Sequence, residues 1–164
     1  MDFSRLNRNR VLVGGAASLL LIISILFLPW YSLTDVPERE AQGAWLCGEG
    51  EFSCTGFETF PILRWLLLLA AISPAILAWI LIRGHRLSWA PGEMTMVAGF
   101  AAMVLIAYNG LIDMPAPEGG VEFGQSLDYG YFVALVSAIV IAGTGYTRSI
   151  ESGERKTRKA PGTV

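Results

Sequence analysis

The chain has 164 residues, 53% of them hydrophobic and 16% charged, with a mean hydropathy of +0.50 and a net charge of −2. That length makes one domain the default. The composition excludes an ordinary soluble domain, which carries about 25% charged residues; no nucleic-acid partner is expected, and the net charge says little as a sum because the charges are segregated by loop. No internal repeat is evident, and arginine outnumbers lysine ten to two, a bias typical of GC-rich coding sequence.

The apolar residues fall into four blocks of membrane-spanning length, since about 20 residues at 1.5 Å rise cross a hydrocarbon core of ~30 Å. After a polar segment, residues 1–10, span 1 covers about 11–29 and ends at Pro29-Trp30-Tyr31. A positive start before an apolar run also opens a signal peptide, but this run exceeds the usual 7–15-residue core and is followed by aromatic rather than small residues. Span 2, about 61–82, is entered through Pro61, which suits a first helical turn. Ser73-Pro74 predicts a kink within it, with neighbouring helices re-satisfying the freed carbonyl. Span 3 covers about 94–112 and span 4 about 129–147; residues 148–164 form a basic tail, part helix extension and part disorder.

Charge sets the threading. Arg5, Arg8, Arg10, Arg83, Arg86, Arg148, Arg155, Lys156, Arg158 and Lys159, ten of the twelve basic residues, fall on one side. The other side holds Arg39 and Arg64 against ten acids: Asp35, Glu38, Glu40, Glu49, Glu51, Glu58, Asp113, Glu118, Glu122 and Asp128. The positive-inside rule then puts both termini in the cytoplasm and loops 30–60 and 113–128 outside. The expected architecture is an all-α, four-transmembrane-helix bundle, multi-pass in the plasma membrane, with its one sizeable ectodomain between spans 1 and 2. Small residues such as Gly14, Gly15, Ala71, Ala75, Gly99, Ala102, Ala138 and Ala142 supply close helix contacts.

Cys47 and Cys54 both lie in that external loop, where an even pair reads as a disulfide closing a glycine-containing hairpin. A redox pair is the competing reading, but thiol oxidases of that kind show a Cys-x-x-Cys and a second relay pair, and neither occurs. His85 is the lone histidine, on the cytoplasmic turn, so no Ser–His–acid set assembles on one side of the membrane. No phosphate-cradling glycine loop occurs. No catalytic residue, cofactor or metal is expected. Polar residues keep to the interface: Arg64 at the start of span 2, Asn109 and Asp113 at the end of span 3, Asp128 at the start of span 4. Arg64 is expected to pair with Asp113 or Asp128. Trp30, Tyr31, Trp65, Tyr108, Tyr129 and Tyr131 are expected at the outer headgroup level, and Trp89 at the inner.

Two resemblances accompany these motifs. Leu28-Pro29-Trp30-Tyr31, Phe57-x-x-Phe60, Leu111-Ile112-Asp113 and Gly130-Tyr131 together resemble small four-span membrane proteins of unassigned function from high-GC bacteria. The order Trp30, Gly43, Trp45, Cys47, Cys54, Arg64 is similar to the first external loop of claudins and peripheral myelin proteins. Here Ala44 stands where that pattern has leucine, one residue instead of two separates Trp45 from Cys47, and the loop is shorter. The resemblance implies a small extracellular sheet stapled by the disulfide, and adhesion or assembly through it.

The leading functional expectation is a structural or interaction protein, presenting an acidic ectodomain to a membrane-protein partner or to further copies of itself. A small oligomeric channel or transporter, with external acids attracting cations, is the second reading. A membrane thiol oxidoreductase is the third.

Overall fold

The computed structural model describes residues 8–34, 53–83, 91–115 and 124–157. Among them are helices α1 (Arg8–Phe27), α2 (Gly56–Thr59), α3 (Leu63–Ile82), α4 (Pro91–Leu111) and α5 (Tyr129–Thr157), with strands β1 (Pro29–Thr34), β2 (Ser53–Thr55) and β3 (Gly124–Leu127). The protein is mostly helical. Three helices are long and apolar enough to cross a membrane, over Leu63–Ile80, Gly92–Leu111 and Tyr129–Ile150, and α1 adds a shorter apolar stretch, Leu12–Phe27. Their outward faces carry Leu19, Leu69, Trp79, Phe100 and Val136, all exposed. Helices apolar on their outer surface as well as their inner suit a hydrocarbon surround, consistent with a membrane protein.

The four long helices stand in a ring in which α1 neighbours α3 and α5, and α4 neighbours α3 and α5. Between them lies one core, with Leu21 and Ile25 of α1, Leu67 of α3, Ile106 of α4 and Ala134 and Ile141 of α5 all buried.

The contact between α4 and α5 is the most extensive in the molecule. Buried Gly92, Thr95, Gly99, Ala102 and Ile106 recur on one face of α4, alternately three and four residues apart. Ala134, Ala138, Ile141 and Gly145 do the same on α5. That spacing keeps one stripe facing the neighbour. A Cβ at Gly99 would collide with the backbone of Ala142, and one at Gly145 with the backbone of Met96. With no hydrophobic gain available between helices in lipid, such backbone contact is what holds them.

Pro74 sits within a continuous α3. A proline leaves the carbonyl four residues earlier without its amide. Here that carbonyl, Ala70 O, accepts the Ser73 hydroxyl at 2.8 Å. The repair thus comes from the preceding residue of the same helix rather than from a neighbouring helix.

Helix boundaries differ from expectation at the ends. α1 stops at Phe27, because Pro29 disfavours helical backbone at Leu28. Trp30 therefore lies on a strand. Pro91 opens α4 rather than preceding it, and α5 runs on to Thr157 through part of the basic tail.

The β-structure extends beyond the hairpin expected in the 30–60 loop. A three-stranded antiparallel sheet, ordered β2-β1-β3, caps the ends of the bundle. Its third strand comes from the 113–128 loop, where no strand was expected.

Candidate functional site

The buried aromatic residues gather at the junction of sheet and helix ends. β1 pairs with β3 from Tyr31 opposite Leu127 to Thr34 opposite Gly124. On its other edge Pro29 faces Thr55 and Tyr31 faces Cys54, so the register slips at Trp30. Successive strand residues ordinarily point to opposite faces, and a bulge re-aims one of them. Accordingly both Trp30 and Tyr31 are fully buried, 0% exposed. These two and Tyr131 are packed within the junction, not spread along the headgroup level. Trp65, Tyr108 and Tyr129 are exposed, as membrane-facing aromatic residues are.

Trp30 meets Phe60 and Tyr131 edge-on, at centroid distances of 6.4 and 6.1 Å. Tyr31 meets Phe60 likewise at 5.9 Å. Such edge-to-face pairs add about 0.5–1.5 kcal/mol each beyond area burial. α2 begins directly on the indole: a Cβ at Gly56 would lie 2.7 Å from the Trp30 ring. Thr55 caps that short helix, its hydroxyl oxygen accepting from Glu58 N while the Glu58 carboxylate accepts from Thr55 N at 3.0 Å.

Ser24 links three elements. Its hydroxyl donates to Gly130 O at 2.6 Å, tying α1 to the start of α5. The Trp30 indole donates to Ser24 O at 3.0 Å and to its hydroxyl oxygen at 3.1 Å. Tyr31 donates its phenol to Asn109 O at 3.1 Å, joining β1 to α4. Asn109 in turn donates its side-chain amide to Leu105 O at 2.9 Å. Burial pushes the Tyr31 phenol well above its ordinary value, and the neighbouring Tyr131 adds to the shift. It therefore stays a neutral donor. The Tyr131 hydroxyl is buried without a partner among the described residues, as is Nε of Arg64.

The residues singled out from the sequence separate into three groups. Gly43, Trp45 and Cys47 lie outside the described residues, as do His85 and Trp89. Trp30 and Cys54 are both fully buried, Cys54 facing Tyr31 across the sheet. Arg64, Asp113 and Asp128 do not assemble. Arg64 donates to Phe57 O at 3.2 Å, and its guanidinium carbon lies 4.5 Å from the Phe57 ring centroid and 5.5 Å from that of Trp65. The expected ion pair with Asp113 or Asp128 is absent among the described residues. Two aromatic faces and a carbonyl hold the cation instead. Asp113 stands exposed beyond α4. Asp128 immediately precedes α5, its carboxylate accepting from Tyr129 N at 2.7 Å, while its own amide donates to Trp30 O at 2.9 Å and extends the sheet.

Sequence reasoning missed Ser24. A hydroxyl within an apolar run, six residues before a tryptophan, was its signal. Among the described residues, no group of three His, Cys, Asp or Glu converges as a metal site. What the junction does is mechanical: it locks strands from two separate loops to the ends of α1, α4 and α5. No protein-family model matches the chain, and no match emerges among curated proteins or solved structures.

Proposed function

We propose that this is a four-span membrane protein of the cell envelope with a structural, protein-interaction role. In this reading both termini face the cytoplasm and the acidic segment 35–52 lies on the external side. The observation that carries it is the sheet itself. Strands flanking the 35–52 segment are hydrogen-bonded to each other and to a strand from the second loop, over a buried aromatic base. Binding surfaces are typically loops on a rigid support, because preordering the support lowers the entropy lost on association. A disulfide between Cys47 and Cys54 belongs to the same proposal, since Cys54 lies buried on β2 where it would fix the end of the segment. Closing so small a loop contributes about 2–3 kcal/mol. The claudin-like and four-span resemblances belong to this proposal.

The test is site-specific photocrosslinking in native membranes from Glu49 and Glu51. The expected result is a discrete adduct, with a second copy or a defined membrane protein, that disappears in a Trp30→Ala variant lacking the support. A chain that remains an uncrosslinked monomer from both positions would refute the role.

A further inference from the structure

We propose that the cleft between α1 and α3 seats one acyl chain of an anionic phospholipid, with the lipid phosphate held by Arg148. The inference rests on the membrane embedding proposed above. At the sheet end α1 and α3 meet through core residues such as Ile25 and Leu67. Towards the other end they part. The space between them is a cleft of about 560 Å³, lined by Gly15, Ser18 and Ile22 of α1 and by Ala71, Ala75 and Ala78 of α3.

Its shape and lining suit an acyl chain. The α1 lining runs from Leu12 to Ile22, about 15 Å at 1.5 Å per residue. The walls are almost wholly apolar, with Leu19, Ile22, Ile72 and Pro74 beside the small residues. A lipid tail fills such an elongated apolar space by dispersion contacts.

Charge selects the head. Arg148 of α5 is the only charged residue among the described residues that line the cleft, where Ser18, Thr95 and Thr144 are the other polar ones. Among the described residues the Arg148 side chain has no ion pair and no hydrogen bond. It is half-buried against the cleft rather than freely solvated. A guanidinium presents a planar fork of donors that matches phosphate geometry. Basic residues in pockets between membrane helices recognise anionic headgroups by this chemistry. Placed at the end of the cleft away from the sheet, Arg148 meets a lipid of the leaflet that the positive-inside rule assigns to the cytoplasm.

The test is native mass spectrometry of the full chain, delipidated in mild detergent and offered phosphatidylglycerol or phosphatidylcholine of equal chain length. The expected result is about a fivefold preference for phosphatidylglycerol, the contribution of one basic residue beside an anionic headgroup. Arg148→Gln abolishes the preference. Arg155→Gln with Lys156→Gln, which removes tail charge beyond the cleft, preserves it. Gly15→Phe lowers retention of both lipids: a Cβ there meets nothing within 4 Å, so the ring enters the cleft without strain. Glycerol phosphate, the head without the tail, leaves no adduct. Equal retention of the two lipids, a preference surviving Arg148→Gln, or glycerol phosphate binding as well as the lipid overturns the proposal while leaving the membrane reading intact. A chain that is soluble and monodisperse without detergent overturns both.

Discussion

Two helix pairs in this molecule use the same small residues to opposite ends. Along α4 and α5, glycine and alanine bring backbones into contact, Gly99 on Ala142 and Gly145 on Met96. Along α1 and α3 they leave a space: Gly15, Ala16, Ala75 and Ala78 line a cleft. Small residues permit close approach only where the facing helix presents backbone at the same level. Where the facing stripes do not register, the missing side-chain volume stays open. The α1–α3 pair is closed at one end alone, by the junction that Ser24, Trp30 and Phe60 build.

Removing that closure opens the loose pair at both ends, so it carries the largest effect among the junction variants. Trp30→Ala leaves a cavity among Phe60, Tyr131 and Gly56, and the expected cost is about 3–5 kcal/mol. An apparent Tm lower by about 6–20 °C in detergent follows from the usual scaling. Ser24→Ala is milder. The indole keeps its bond to Ser24 O, while Gly130 O loses its donor, at an expected cost of about 1–2 kcal/mol in chemical denaturation.

Tyr31→Phe has the smallest effect at neutral pH, about 0.5–1.5 kcal/mol for the lost bond to Asn109 O. Its signature is alkaline. The folded phenol holds its proton above the ordinary value of 10.0, whereas the unfolded one releases it near that value. The unfolded chain thus binds fewer protons, and stability falls as pH rises past about 10. Below that pH the contribution is fully present. Unfolding midpoints taken from pH 8 to 11 are expected to fall more steeply for the natural chain than for Tyr31→Phe. Equal slopes would place the phenol outside the core.

Much of the helical part was legible in the sequence, because runs such as Leu66–Leu69 and Val136–Ile141 are too apolar for anything but a core or a bilayer. Less of the junction was. Gly124-Gln-Ser-Leu127 has neither the alternation nor the β-branched residues of a strand, and becomes one only because β1 offers it an edge. Trp30 and Tyr31 carry the composition of a membrane-interface belt, and only the bulge reveals that both turn inward. Arg64 invited an acidic partner because the threading puts Asp113 and Asp128 at the same end of the spans, yet it is held by the Phe57 carbonyl and ring. The close approach of α4 to α5 was visible as small residues; that the same composition leaves α1 and α3 apart was not, since volume between helices depends on both faces at once.

The contrast between the pairs is tested most directly by one substitution placed in each. Gly99→Leu and Gly15→Leu add the same side chain to glycines on neighbouring faces of one bundle. Thermal unfolding in a single detergent is expected to separate them widely. Gly99→Leu drives into the Ala142 backbone and costs about 3 kcal/mol or more, or prevents accumulation of folded protein. Gly15→Leu enters open space and shifts stability by no more than about 0.5 kcal/mol. Equal losses for the two variants, or a larger loss at Gly15, would contradict the account.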